Sequence, residues 1–351
     1  MNIFDAPDFR NLPTAVQSLF AAAGEESYFN LAEWYDVAAR CGQTPGSNVR
    51  LYVDDACRAG LVTCRLVIRP DNLMLCTTPY TCESGALYAT RNDTGSVRTL
   101  VAAVVREAHV ATVLWTGFDP VSPAFAATLS GLRDARFLAR AYCCWGNWYE
   151  NVGGSGFDAY LERRPSILRN TWQRKMKALE KDAQPTFRIN GELEQFISYY
   201  NDVYRRSWKT AEPFPNFMPA LMRTAAALGA LRTGVLMCGD QPIAAQFWLV
   251  WRRRATIFKL AYDEKWERYS PGTLLTMEMA RAVLSDDKPS EIDFGRGDDG
   301  YKKLWLSQRR ERWGIEAANP NTLRGAMAGA AIAARMARER LRRWNGADPF
   351  P

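Results

Sequence analysis

The chain has 351 residues, a formal net charge of +7, 47% hydrophobic and 24% charged residues. This composition excludes a disordered polymer, and the length exceeds what one hydrophobic core usually organises, so two domains are expected. The positive balance favours anionic partners, whether a nucleotide, a phospholipid surface or RNA, without choosing among them. The N-terminal string MNIFDAPDFRNLP carries acidic residues where a secretion signal needs a basic stretch and an apolar run, so a cytoplasmic protein is expected. Residues 11–23 and 31–40 have helical spacing, and VRLYVDD, GLVTCRLVIR and NLMLCTT read as short strands between Gly, Asp and Asn. A helix over about 97–109 leads into the strand VATVLWTG. Its run up to Trp115 is broken by Arg106, Glu107 and His109 and falls short of the roughly 20 apolar residues a bilayer span needs. Another helix starts at Ser122-Pro123, and FLARAYCCWGNWYENV is a long strand that closes a first domain near residue 155.

Gly153, Gly154 and Gly156 mark a break. The string YLERRPSILRNTWQRKMKALEKD then predicts one long basic helix, with Ile167, Leu168, Trp172, Met176 and Leu179 on its apolar stripe and a solvated basic face. Residues 156–183 are expected to act as a linker between domains 1–155 and 184–323. From Leu231 the pattern is an antiparallel meander, LRTGVLMC, PIAAQFWLVW and ATIFKLAY, turning at Gly239-Asp240 and at Arg252–Arg254. A helix follows from about Gly272 to Leu284, then the short strand SEIDF, the loop GRGDDG and a helix expected to begin at Tyr301. The fold class is therefore α/β, with a mixed α+β sheet in each of two domains. The last stretch, 324–351, is Ala-rich and then Arg-rich, with Arg335, Arg338, Arg340, Arg342 and Arg343. It reads as a basic amphipathic tail suited to peripheral contact with an anionic membrane.

Eight cysteines (41, 57, 64, 76, 82, 143, 144 and 238) form no CxxC pair, and His109 is the single imidazole. No metal site is expected; the cysteines read as small buried residues of a reducing compartment. Acidic and aromatic side chains gather at the strand-to-helix junction EIDFGRGDDGYKK, where Asp293, Asp298, Asp299, Tyr301 and Lys302 fall within ten positions. Asp298 and Asp299 also suit capping of the next helix, and both readings stay open.

The order of a strand meander, a helix, a strand and another helix resembles the GNAT acyltransferase fold. The strings NWYENVGGSGFDAYLERRPSILRNTWQRK, PIAAQFWLV, FKLAYDEKWERYSPGTLL and EIDFGRGDDGYKKLW look like the bacterial GNAT branch called cellulose-biosynthesis CelD-like, which is related to the FemAB peptidyltransferases. The resemblance implies two tandem GNAT-like domains, the C-terminal one holding the acyl donor. The family pattern Q/R-x-x-G-x-G/A for the donor pyrophosphate aligns with Glu267, Ser270 and Gly272, a poor match in which Pro271 also lacks an N–H. The arrangement that survives is Ser270 as cap, Pro271 in the first helical position and the amides of Gly272, Thr273 and Leu274 facing an anion, with Arg268 beside them.

In such enzymes the acceptor amine must lose a proton and the departing thiolate must gain one. With no second histidine, the candidate bases are Asp263, Glu264, Asp293 and Asp298. Tyr301 matches the tyrosine that the family often keeps near the leaving sulfur. Lys259, Tyr262, Lys302 and Trp305 are expected on the substrate side. The resemblance implies no permanently bound cofactor, acyl-CoA or an acyl-carrier protein as donor, and an amine of a lipid or cell-envelope saccharide as acceptor. Long-chain bases, as in bacterial ceramide synthesis, are one such acceptor. An exopolysaccharide acetyltransferase, an aminoacyl-tRNA-dependent transferase and a GNAT-like scaffold without catalysis remain alternatives; nucleic acid enters only through the tRNA reading.

Overall fold

A computed structural model describes residues 1–344. In chain order the first half contains β1 (Asn2–Asp5), α1 (Thr14–Gly24), α2 (Ala32–Cys41), β2 (Ser47–Val53), β3 (Ala59–Leu66), β4 (Arg69–Leu75), β5 (Leu87–Tyr88), α3 (Thr94–Glu107), β6 (Thr112–Phe118), α4 (Pro123–Asp134) and β7 (Leu138–Asn151). Then come α5 (Phe157–Glu162), α6 (Ser166–Asp182), β8 (Pro185–Ile189), α7 (Leu193–Arg205), α8 (Phe217–Ala227), β9 (Leu231–Cys238), β10 (Gln241–Trp251) and β11 (Arg254–Tyr262). The chain ends with α9 (Pro271–Asp286), β12 (Glu291–Asp293), β13 (Gln308–Ala318) and α10 (Leu323–Trp344). Two compact units result, Gly146–Arg310 and a second made of Met1–Trp145 with the chain from Glu311 onward, so the polypeptide leaves one unit within β7 and returns to it within β13.

In the unit that holds the N-terminus, β1, β2, β3 and β4 are antiparallel neighbours. β4 then pairs β6 in parallel at Asn72–Thr112 and Leu73–Val113, and β13 completes this edge antiparallel to β6. Helices α3 and α4 bury Val97, Val101, Val104 and Leu132 against Leu61, Leu73, Val113 and Trp115. Residues 76–93, between β4 and α3, fold back along β6. The Ser84 N–H donates to Gly117 O at 2.9 Å, and the Ser84 hydroxyl donates to Thr116 O. Helix α10 belongs to this unit rather than hanging from it. Ile332 is buried, Arg324 pairs with Asp71, Arg335 pairs with Glu316, and Glu339 pairs with Arg140. Of the tail's arginines, Arg324 and Arg335 are paired within the fold, while Arg338 and Arg340 stay exposed. The side chains of Arg342 and Arg343, and residues 345–351, lie outside the described residues.

The other unit has the strand order β7-β12-β11-β10-β9-β8. β8 to β11 form the expected meander plus one strand that the sequence pattern did not reveal. The long basic helix is two helices, because Pro165 can neither donate an N–H nor continue α5. It is also not a linker. Leu168 and Leu179 are buried, and α6 packs against α9 in the core with Trp248, Leu274, Met277 and Ile292. The helix expected at Tyr301 is only a short 3-10 turn, Gly300–Leu304, before the chain extends into β13. Both units repeat one arrangement, a hairpin, a crossover helix and a parallel strand: β3-β4-α3-β6 in one and β10-β11-α9-β12 in the other.

Helix α4 crosses α3 closely because Gly131 has no side chain. A Cβ there would sit 2.5 Å from Arg98 O and 2.9 Å from Val101 Cβ. Alanine would favour the helix by about 1 kcal/mol, but overpacking costs about 1–3 kcal/mol, and the clash is with backbone. Gly131→Ala is therefore expected to lower the urea midpoint; an unchanged or raised midpoint would show that α3 moves aside freely.

Candidate active site

β11 and β12 run parallel and pair only at Arg254–Glu291, Ala255–Ile292 and Thr256–Asp293. β11 then continues to Tyr262, while the chain after Asp293 swings toward β7, with the Phe294 N–H donating to Trp148 O at 2.9 Å. The strands open like a wedge. Their parting is fixed by a buried ionic knot. Asp293 accepts from Asn147 Nδ2 at 2.8 Å and from the Gly295 N–H at 2.5 Å, and its second oxygen takes Arg310. Arg310 also donates to Glu291 at 2.7 and 3.0 Å and to Asn147 Oδ1 at 2.6 Å. With its oxygens so engaged, Asp293 holds the strand end; the role of proton acceptor expected for it does not fit this setting.

On the open stretch of β11, Lys209 donates from Nζ to Leu260 O. Its ammonium lies 5.4 Å from the Trp208 ring centre and 5.9 Å from that of Tyr204. Burial first, then the charge of Lys259, lower the Lys209 pKa to about 8 against the opposing pull of Glu212. Lys259, expected on the substrate side, is here, and its Nζ bonds Glu212 Oε1 at 2.8 Å. Tyr262, also expected there, stacks on Trp208 with ring centres 4.3 Å apart. A cavity of about 440 Å³ adjoins them, lined among others by Tyr200, Tyr204, Arg205, Lys209, Glu212 and Met218. Its apolar lower wall is ordinary helix packing, since α7 turns Phe196 and Tyr200 onto Phe247 of β10.

The remaining predicted residues separate into groups. Tyr301 stands half exposed with its ring edge-on to Phe294, 5.9 Å between centres, and partial burial together with Asp299 pushes its hydroxyl up to about 12. It stays protonated at neutral pH and suits a proton donor. Asp298 accepts from Arg309 at 2.7 and 3.0 Å and from Trp148 Nε1 at 2.7 Å; Arg309 first, then Trp148, hold its carboxyl below the usual range. It is thus a poor base, and neither it nor Asp299 caps the turn through its side chain.

Asp263 is buried against Arg206 and caps the turn Glu264–Tyr269 through the Lys265 N–H. Glu264 is exposed at the start of that turn. Lys302 is buried, its ammonium donating to Arg296 O at 2.9 Å and Gly297 O at 3.1 Å; it holds the loop after β12 rather than a substrate. Trp305 lies in the core, with its carbonyl accepting from Tyr160 and Arg164, and presents nothing to a cleft.

The expected anion cradle is also different. Ser270 adopts a left-handed conformation (φ 51) and makes no side-chain cap. Its carbonyl takes the Thr273 N–H at 2.9 Å and the Leu274 N–H at 3.2 Å, so of the three expected amides the Gly272 N–H is the one that Ser270 does not engage. Gly272 itself is needed for packing, because a Cβ would meet Leu260 at 3.1 Å and Tyr262 at 3.2 Å. Arg268 lies over the Tyr269 ring, 4.5 Å from its centre, toward Asp182. Among the described residues no group of three or more His, Cys, Asp or Glu could hold a metal ion, and no helix is long and apolar enough to cross a membrane.

Residues 166–303, which span α6 to the turn bearing Tyr301, match the family described as acetyltransferase (GNAT) domain. This unit has a GNAT fold. No curated protein matches the chain by sequence. Among solved structures, one described as FemX superposes with a TM-score of 0.61 at 8% identity, over 90% of this chain and 97% of that one. A C-terminal domain assigned to a lysylphosphatidylglycerol synthetase of Agrobacterium fabrum gives 0.56 at 13% identity, over 91% and 96%. A tandem GNAT protein from the clavulanic acid pathway gives 0.53 at 11%, over 92% and 99%. The architecture is that of two tandem GNAT-like domains, and the parting of β11 from β12 belongs to the matched segment.

Arg310 is the counter-charge for both Asp293 and Glu291. Without it, Arg254 would still hold Glu291, but Asp293 would lose its guanidinium in a poorly solvated place, a kind of loss that costs about 3–5 kcal/mol in comparable pairs. Arg310→Met is therefore expected to destabilise the protein by about 3 kcal/mol in denaturant unfolding. A loss under about 1 kcal/mol would show that the knot does not hold the strands apart.

Proposed function

We propose that the GNAT unit transfers an acyl group from an activated donor to an amine at the opening between β11 and β12. The observation that carries this is the placement of Lys209, a lysine with a pKa near 8, on the carbonyl of Leu260 where β11 has left its partner strand. In the proposed reaction the neutral Lys209 amine takes the proton of the acceptor ammonium. The freed amine attacks the acyl carbon, a C–N bond forms as the C–S bond breaks, and Tyr301 gives its proton to the departing thiolate. Solvent then returns the proton from Lys209 to Tyr301. Aromatic side chains around the cavity, with Trp208 and Tyr262 beside it, favour an acceptor with an apolar body. An amine-bearing lipid fits this better than a bare saccharide, and a long-chain base is the first compound to test.

The donor reading that the fold supports in general is an acyl-CoA. One observation favours a second reading. Pro271 has no N–H, and the Thr273 and Leu274 amides already serve Ser270 O, which leaves little backbone to cradle a pyrophosphate. A donor that carries no pyrophosphate at this position, such as an acyl-carrier protein or an aminoacyl ester on tRNA, avoids that need. Purified protein offered a long-chain base with acyl-CoA, acyl-carrier protein or aminoacyl-tRNA in turn, with products read by mass spectrometry, separates these donors. An amide formed with none of the three would overturn the reading.

Because burial lowers the Lys209 pKa, its neutral form accumulates as pH rises through about 8, so kcat/KM should climb with pH and level off above that value. Lys209→Gln should lower the plateau at least tenfold and remove the limb near pH 8; a retained limb would assign it to the acceptor amine instead. Tyr301→Phe should lower turnover by about tenfold or more with little change in stability, since the side chain is half exposed. Full activity in that variant would remove Tyr301 from the mechanism.

A further inference from the structure

One end of the unit that contains the N-terminus gathers features that the transfer reaction does not use. The turn between β3 and β4 presents Val67 at 72% and Ile68 at 83% exposure. Arg65 ties the foot of this hairpin to α3, donating to Pro70 O at 3.1 Å and Ala108 O at 2.7 Å. The start of α10 is fastened to the same end. Arg324 pairs with Asp71 at 2.7 Å, the Ala111 N–H donates to Asp71 O at 2.8 Å, and the Asn319 N–H donates to Ala111 O at 2.9 Å. The first turns of α10 expose Leu323 at 84% and Met327 at 70%. Beside them a cavity of about 350 Å³ is lined by Arg106, His109, Arg136, Asn319, Asn321 and Thr322.

Four large apolar side chains thus stand in solvent around a cationic recess. Arg106 and Arg136 line the recess, with Arg65, Arg69 and Arg324 on the adjoining hairpin and helix start; Arg324 is matched by Asp71, and Asp134 is paired with Arg98. Arginines near the ends of α3 and α4 would complement the helix dipoles in any case. That need does not explain an apolar hairpin tip held rigidly beside them.

We propose that this end of the unit docks on an anionic lipid surface. Val67, Ile68, Leu323 and Met327 would enter the headgroup boundary, the arginines would lie at the level of the phosphates, and the recess would take one headgroup phosphate. Charge complementarity selects a membrane over a second copy of the chain, since two such cationic faces repel. Attachment of this kind needs both signals, apolar insertion and cationic attraction, as neither alone holds a protein at a bilayer.

The test uses the full chain and sedimentation with vesicles of phosphatidylcholine, alone or mixed with phosphatidylglycerol. Binding is expected to the mixed vesicles and to weaken as salt rises. The double variant Val67→Ser with Ile68→Ser should bind at least about tenfold less tightly. Arg136→Glu should abolish the preference for phosphatidylglycerol. Both variants should keep the parent urea midpoint, because the altered side chains are exposed. The proposal is overturned if the parent chain ignores phosphatidylglycerol, if the double variant binds as the parent does, or if the chain is a dimer in solution that these substitutions dissociate. Acyl transfer assayed with soluble substrates should be unchanged in both variants, so failure here leaves the assignment of the GNAT unit untouched.

Discussion

The buried carboxylate of Asp293 is where the second unit is decided. A strand paired on both sides would seal the sheet; here β12 stops after three residues, because its last side chain turns inward to Asn147, the Gly295 N–H and Arg310. An ionised carboxylate is tolerated in such a place only when its oxygens are bonded and its charge is matched. Arg310 does this while also holding Glu291 and Asn147, so β12, Asn147 of β7 and the start of β13 meet at one guanidinium, with Arg254 as a second partner of Glu291. Once β12 is held there, β11 runs on without it. The carbonyl of Leu260 then accepts from Lys209, the lysine on which the proposed function rests.

The elements with strong periodicity were legible in the sequence, for physical reasons that show in the structure. The meander from Leu231 to Tyr262 alternates and has tight turns, and it forms β9, β10 and β11. Pro123 takes the first position of α4 as expected, while Ser122 precedes it without a side-chain cap. The junction EIDFGRGDDGYKK does gather at the end of a strand. Misreadings fall where long-range contacts override a local pattern. A basic stripe made α6 look solvated, yet Leu168 and Leu179 are buried in the core. The polar string QRRERWG has no strand signature, and it becomes β13 because its arginines find carboxylates: Arg309 meets Asp298, Arg310 meets Asp293, and Arg312 meets Glu83 and Asp119.

For the site, residue type alone was a poor guide to role. Asp293, Lys302 and Trp305 are chemically suited to catalysis or binding, and burial gives each of them a structural task instead. Lys209 went unnoticed in the stretch between α7 and α8, where YRRSWKTAEPFPNF carries no recognisable motif. The pairing of Trp208 with Lys209 beside a Pro-containing segment was its one local signal. Nothing in the sequence announces that the Leu260 carbonyl would be the partner, fifty residues away, since that depends on where β11 loses its neighbour. A lowered lysine pKa is a property of a three-dimensional setting, not of a motif.

The two units share hairpin, helix and parallel strand, yet only one keeps its opening. In the first, residues 76–93 are long enough to return between the diverging strands, and Ser84 covers the carbonyls of Thr116 and Gly117 that the split would leave bare. Gly117, with φ 92 and a Cβ position 3.0 Å from Ser84 Oγ, allows that close approach. In the second, residues 263–270 form only a compact turn before α9, too short to fold back in the same way. An exposed strand edge must be covered by the chain, by water or by a ligand, because its polar groups cannot stay unpaired once buried. Where the chain covers it, as at Ser84, that edge is already paired. In the second, Lys209 covers the Leu260 carbonyl, and under the proposed function the remainder of the edge is left to a ligand. Under the proposed function, the difference between the two units reduces to the length of one connection.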